Sequence, residues 1–320
     1  MNYFYLIFIC LKKITKEKQH YRMRRNLERK VFKMDLQSCE CSGEEIILLG
    51  RNFMFKKFLL LCLFVCISIP TLSHFQIIYT PDLDISGKST VSFQMFFTEH
   101  IANGEKSKNM DMGKDDTNDF QAVEDFFVVH RGNKNHLTSV LSPIKFGRKG
   151  NQGSGYKFNF GANDDGDWVF VLIPSPYFEE REGTHIQQIT KVITNKGGEE
   201  TDWKNRIIEA YPEIIPLSNP ITWKDNVFKG QVVNGEGKPV SDIKVVIEYL
   251  NADIENLQFS NTLKENKKLT MTLYTDINGY FSFTPVHTGY WGIVALNAGG
   301  EKFKNNRALS QDAVLWIEAK

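Results

Sequence analysis

From position 74 onward the sequence consists of short runs of aromatic and β-branched residues separated by clusters of Gly, Asn, Asp and Pro, with little helical period between them. Runs of that length, bounded by turn residues, read as strands. They fall at 75–79, 89–97, 125–130, 156–160, 168–173 and 186–194. A tighter series follows at 227–233, 243–250, 272–275, 280–283, 289–296 and 313–317. Asn163-Asp-Asp-Gly-Asp167 and Asp276-Ile-Asn-Gly279 are the clearest turns, since Gly reaches a positive φ without steric cost. One helix is expected, at 203–211 before Pro212. Residues 212–220 read as an extended connector, because three prolines oppose regular structure. The fold class is therefore all-β: two antiparallel β-sandwich domains, an N-terminal one at 74–222 and a C-terminal one at 223–320.

The chain before His74 is of another kind. Met54-Phe-Lys-Lys57 is basic, 58–69 is an apolar run without charge, and Pro70-Thr-Leu-Ser73 ends on small residues. That order predicts a secretory signal peptide at 54–73, cleaved after Ser73. The apolar run is shorter than the ~20 residues a spanning helix needs. Residues 1–53 carry a net charge of +5 and no apolar period. They read as a non-native extension upstream of the true start at Met54, or as a disordered basic arm. All five cysteines (Cys10, Cys39, Cys41, Cys62 and Cys66) precede His74. A cysteine-free body suits an oxidising compartment and excludes disulfides and thiolate metal sites there, so a periplasmic location is expected. The chain balances 39 Lys+Arg against 38 Asp+Glu, and the body alone has 26 against 32. That balance argues against nucleic acid as a partner and modestly favours cations.

No nucleophile elbow, P-loop, zincin helix or dinucleotide fingerprint occurs in the body, and no enzyme is expected. Gly150-Asn-Gln-Gly-Ser-Gly155 lacks the Lys and helix of a phosphate cradle. The pairs Asp115/Asp116 and Asp164/Asp165 lack the spacing of a calcium loop and read as solvated turns.

What remains is histidine and methionine. Cleavage after Ser73 makes His74 the first residue, whose amine and imidazole together close a chelate ring. Nitrogen-rich sites suit Ni²⁺ and Cu²⁺. Cleavage after Thr71 would instead leave His74 third, a position that wraps either ion in backbone nitrogens. His100 ends the run Phe96-Phe-Thr-Glu. Met110 and Met112 sit two apart in a polar loop, where an extended chain turns both thioethers to one side; the alternative is that they cover the sandwich surface. His185 opens the strand His-Ile-Gln-Gln-Ile-Thr and is an outer candidate. His130 and His136 flank a turn at 131–135 and are expected to be solvated, and His287 to be structural or exposed. The candidate metal site is thus His74, His100, Met110, Met112 and His185, for Ni²⁺ with Co²⁺ or Cu²⁺ as alternatives.

The stretches GQVVNGEGKPVSDIKV and YTDINGYFSF resemble the carboxypeptidase-regulatory-like, transthyretin-like sandwiches, which implies a fold and not an activity. The body as a whole resembles the periplasmic nickel-uptake-transporter family, a domain of unknown function found beside nickel and cobalt importers. The resemblance runs through His74-Phe-Gln, Phe97-Thr-Glu-His100, Met110-Asp-Met112, Pro174-Ser-Pro-Tyr177 and Gln187-Gln-Ile-Thr-Lys-Val192. It continues through Glu213-Ile-Ile-Pro-Leu217, Asn226-Val-Phe-Lys-Gly230, Thr288-Gly-Tyr-Trp-Gly292 and Ala313-Val-Leu-Trp316. Members often carry His where Gln188 stands and His-Pro where this chain has His100-Ile101. The resemblance implies an accessory protein that captures nickel or cobalt and passes it to inner-membrane importer components. Two other classes compete: a structural or adhesive exported sandwich, and a polysaccharide binder stacking sugars on Tyr177, Trp203 and Trp223.

Overall fold

A strand that is apolar on both faces has to lie in a sheet covered on both sides, and GDWVFVLIP, buried from end to end, is such a strand. The computed structural model describes residues 74–99, 123–146, 153–180, 182–253, 258–259 and 269–320. The signal peptide expected at 54–73 and the preceding extension lie outside them. The chain forms β1 (His74–Tyr79), β2 (Thr90–Glu99), β3 (Val123–His130), β4 (Asn133–His136), β5 (Ser142–Phe146), β6 (Gly153–Gly161) and β7 (Gly166–Pro174). Next come β8 (Tyr177–Glu179), β9 (Thr184–Lys196), β10 (Glu213–Pro216), β11 (Ile221–Thr222), β12 (Phe228–Val233) and β13 (Lys244–Tyr249). The remainder are β14 (Ala252–Asp253), β15 (Gln258–Phe259), β16 (Thr270–Tyr274), β17 (Tyr280–Phe283), β18 (Gly289–Ala295), β19 (Lys302–Lys304) and β20 (Arg307–Ala319).

The all-β class is as expected, and its layering follows from side-chain alternation. A central eleven-stranded sheet runs β16-β13-β18-β20-β9-β7-β3-β4, with β8, β11 and β19 at its margins. Even-numbered Phe126, Val128, Phe170, Leu172, Val192, Val314 and Trp316 share one core with Phe75, Phe93 and Phe158 of the four-stranded sheet β1-β2-β6-β5. Odd-numbered Phe127, Val129, Val169, Val171, Ile193, Leu315 and Ile317 share a second core with Ile214, Phe228 and Phe281 of the three-stranded sheet β10-β12-β17. The period of two along a strand sorts alternate residues to opposite cores. β20 pairs antiparallel with β18 and parallel with β9. The central sheet therefore passes without interruption from strands before residue 222 to strands after it, and residues 71–320 form one unit.

Three local expectations are corrected. Residues 203–211 are turns and bends, not a helix. The N–H groups of Ile207 and Ile208, which a helix would direct to carbonyls four residues back, donate to the Glu213 carboxylate at 3.0 and 2.8 Å, and Ala210 has φ +63°. The 212–220 connector contains β10, with Pro216 as its last residue opposite Gly230, where a missing N–H is tolerated. The turn after His130 is two residues long, not five. Arg131 and Gly132 both take positive φ, +48° and +74°, as a two-residue hairpin requires. Their N–H groups are held by the Asp202 carboxylate at 2.5 and 3.1 Å. The freed residues become β4, a wholly exposed polar edge, Asn-Lys-Asn-His, that discourages further pairing.

Candidate metal centre at the start of the first strand

Among the described residues β1 has a strand neighbour on one side, β2, with His74 opposite Glu99 and Gln76 opposite Phe97. The groups on its other edge need partners, since an unpaired buried N–H or C=O costs as much as a lost hydrogen bond. Side chains of the central sheet supply them. The Gln76 N–H donates to Gln188 Oε1 at 2.9 Å, and the Gln76 carbonyl accepts from Trp316 Nε1 at 2.9 Å. Gln188 in turn donates from Nε2 to Asp312 at 3.4 Å. Asp312 itself accepts from the Asn297 N–H at 2.8 Å and the Ser310 hydroxyl at 2.7 Å. Phe75 meets the Trp316 ring edge-on, centroids 5.8 Å apart. That contact depends on Gly292, where a Cβ would lie 2.7 Å from Trp316 and 2.8 Å from Phe75. Beyond β1, the Thr80 carbonyl accepts from the Tyr290 hydroxyl at 2.6 Å and the Leu83 N–H donates to Glu318 at 2.8 Å. Burial raises the Glu318 carboxyl above its ordinary range against the pull of Lys320 and that N–H. Burial likewise drives the Tyr290 hydroxyl well up.

Of the candidate ligands, His74 begins β1 directly across from Glu99, the residue covalently attached to His100. His100, Met110 and Met112 themselves lie outside the described residues. A small cluster of Phe97, Tyr177 and Ile186 ties this end of β2 to β8 and β9, with the Phe97 and Tyr177 rings 5.1 Å apart. His185 is fully buried at the start of β9 and tilted against Phe178, centroids 5.3 Å apart. It is three residues from Gln188, which reaches β1, so strand alternation turns its ring to the opposite face. The structure therefore brings the His74 and Glu99 backbones together and leaves His185 apart from them. Among the described residues, no three His, Cys, Asp or Glu side chains converge as a metal-holding group.

The other histidines have structural surroundings. His130 is not solvated as expected. It is buried, stacked at 3.8 Å on Trp168, with Nδ1 at 2.8 Å from the Asp167 carbonyl, because the short turn draws it under the hairpin. His136 is exposed and contacts Asp125 at 2.8 Å. His287 lies parallel to Trp291. The three aromatic residues considered for sugar stacking share no face: Trp223 is exposed, Trp203 half-buried, and Tyr177 buried beneath Phe97. A groove of 550 Å³ lies elsewhere, floored by Phe127, Val129 and Ile173 on the opposite side of the central sheet from β1.

Sequence reading missed Gln188 and Trp316 as partners of β1. It took Gln188 as a vacancy where a ligand might stand. Trp316 carries no signal beyond its alternation, and nothing in spacing pairs either residue with position 76.

Residues 71–299 match a protein family described as a domain of unknown function, DUF4198. No curated protein matches the sequence. Among solved structures, the major pilin subunit BcpA of Bacillus cereus is similar at 7% identity and a TM-score of 0.17, over 77% of this chain and 71% of the pilin. A substituted form of the same pilin gives 8% identity and a TM-score of 0.17, over 78% and 71%. At those scores neither adds to the description of this fold.

Proposed function

On the premise that this chain belongs to the DUF4198 family, we propose that it is an exported, periplasmic metal-binding accessory protein. It captures Ni²⁺, with Co²⁺ or Cu²⁺ as competitors, and hands the ion to inner-membrane importer components. The carrying observation is the register of the first hairpin. His74 opposes Glu99, opposite residues in an antiparallel pair have Cα atoms about 5 Å apart, and the peptide link keeps the next Cα within about 3.8 Å of that of Glu99. Cleavage after Ser73 would free an amine at the end of β1, across from the residue that precedes His100 in the chain. Met110 and Met112 follow on the same connection and add soft thioether donors, while His185, on the opposite face of β9, stands outside this set. The ion is cargo: imidazole and amine ligands bind it without oxidation or hydrolysis.

The test uses the processed chain recovered from the exported fraction, its first residue verified by N-terminal sequencing. Calorimetric titration with NiCl₂ is expected to give a submicromolar site. Acetylation of the terminal amine, or His100→Ala, weakens that site at least tenfold. Equal, weak binding by all three forms refutes the carrier and leaves an exported β-scaffold.

A further inference from the structure

Leaving aside the short marginal strands β8, β11 and β19, the three larger sheets end in six edge strands, and five of these carry a device that opposes the addition of another strand. β4 is the polar Asn-Lys-Asn-His edge. β5 contains Pro143 and Lys145, and β10 ends on Pro216. On β1 the N–H and C=O of Gln76 are taken by Gln188 and Trp316. On β17 those of Tyr280 are taken by Asp276, at 2.9 Å each. The sixth, β16, has none of these. Its sequence, Thr270-Met-Thr-Leu-Tyr274, contains no charge, proline or glycine, and its ladder to β13 runs without a shift of register. Among the described residues no strand lies beyond it. A regular edge of uncharged β-branched and aromatic residues is a template for strand addition.

The register with β13 decides which backbone groups face outward. The Tyr249 N–H donates to the Leu269 carbonyl at 2.8 Å, and the Thr275 N–H to the Ile243 carbonyl at 3.0 Å. Hydrogen-bonded pairs recur at every second residue of an antiparallel ladder. Leu269, Met271, Leu273 and Thr275 therefore bond to the β13 side, and Thr270, Thr272 and Tyr274 turn their N–H and C=O groups away from it. The side chains of these last three are exposed, Tyr274 by 60%. Met271 and Leu273 are half-buried against the second core.

We propose that β16 is a self-association edge, on which a second copy of this chain pairs antiparallel about a two-fold axis through Thr272. The outward groups are disposed symmetrically about that residue, as an isologous contact requires. Thr272 then meets its own counterpart and Thr270 meets Tyr274, so that each outward N–H finds an outward C=O. Met271 of one copy comes beside Leu273 of the other and carries the apolar surface of the second core across the axis. One strand further in, Lys244 is paired with Tyr274 and Glu248 with Thr270. Each Lys244 therefore shares a row with the Glu248 of the other copy, whereas parallel pairing would align like charges. A slip of one residue would set outward groups against inward ones and send the side chains to the wrong faces. A foreign strand could satisfy the backbone, but the matched side-chain rows favour the chain's own copy. This reading is independent of metal carriage. The contact is short, five residues per copy, so a dimer that dissociates at about 1 µM or above is expected.

The experiment is sedimentation equilibrium of the processed chain from about 1 µM to about 1 mM. Monomer is expected to pass to dimer with no larger species. Thr272→Lys sets two like charges across the axis, and Thr272→Pro removes an N–H that the monomer leaves unpaired at a sheet edge; each should weaken association at least about tenfold. Asn135→Lys, on the already polar β4 edge, should leave it unchanged. Opposed residues of a hydrogen-bonded pair lie about 5.5 Å apart at Cα, within disulfide range. Mild oxidation of Thr272→Cys should therefore join two copies at position 272, identified by peptide mass. Thr270→Cys should not cross-link to its own counterpart, which lies roughly 13 Å further along the strand. A chain that stays monomeric throughout overturns the proposal. So do open-ended larger species, a dimer that both substitutions at position 272 leave intact, or equal cross-linking from positions 270 and 272. Circular dichroism shows that each variant is folded; should Thr272→Pro fail to fold, Thr272→Lys, altered only at a solvent-exposed side chain, decides.

Discussion

Replacing Lys191 by Met interrogates a fully buried ion pair. Lys191 lies mid-strand on β9 and Glu213 opens β10, their side chains 1% and 0% exposed, with Nζ 2.5 Å from Oε1. Glu213 also accepts from the N–H groups of Ile207 and Ile208. Two charges this far from water hold each other in place at a large desolvation cost. Removing one partner leaves the other uncompensated, which costs about 3–5 kcal/mol. Lys191→Met alone and Glu213→Gln alone are each expected to destabilise by that amount. The double substitution removes both charges, while the Gln amide oxygen still accepts from the backbone. It should lie within about 2 kcal/mol of wild type, so the two changes are coupled by at least about 4 kcal/mol. Urea denaturation followed by tryptophan fluorescence measures all four proteins. Single changes costing less than about 1 kcal/mol, or a double change equal to their sum, would refute the argument that this pair acts as one buried unit.

Glu318 gives a pH-dependent counterpart. Burial raises its pKa, so folding favours the protonated form, and its contribution is lost as pH climbs from the ordinary carboxylate range through the raised value. Glu318→Gln keeps an acceptor for Leu83, and its stability relative to wild type should rise with pH across that window; denaturation midpoints at several pH values would expose a flat or falling difference. Asp167 accepts from the N–H groups of Thr201, Asp202 and Trp203 at 2.6, 2.8 and 3.2 Å. Asp167→Ala should therefore cost about 2–4 kcal/mol. For a domain of this size that lowers Tm by roughly 5–15 °C. A Tm loss of only a degree or two would mean that water replaces the carboxylate without penalty.

Most strands were legible because the signal is local. Alternation within six or seven residues, closed by Gly or Asn-Gly turns, identified β1, β2, β7, β12, β17 and β18 to within a few residues. The false helix at 203–211 failed for the converse reason. Its residues have helical propensity, but two carboxylates outside the segment, Asp167 and Glu213, take its N–H groups and those of the residues just before it. His130 was misjudged because a turn of five residues and a turn of two are compatible with the same Gly-Asn pattern. Asp202, 71 positions from Arg131, selects the shorter one. For the candidate site, the sequence could nominate donors by residue type, His74 and His100 above all. It had no means of finding Gln188 or Trp316, since a glutamine or tryptophan on a strand is ordinary until the strand opposite is known.

The sequence by itself determined that this chain makes strands, where most of them run, and that the body from His74 onward has no cysteine, because periodicity, turn chemistry and composition act over a few bonds. Only the tertiary structure decided that β9 and β20 lie side by side in parallel, so that one sheet serves both halves. It alone decided that residues 188 and 316 meet residue 76, contacts spanning 112 and 240 positions. Such contacts depend on how apolar faces stack once all strands are formed, and no local pattern encodes which strand will lie across from which.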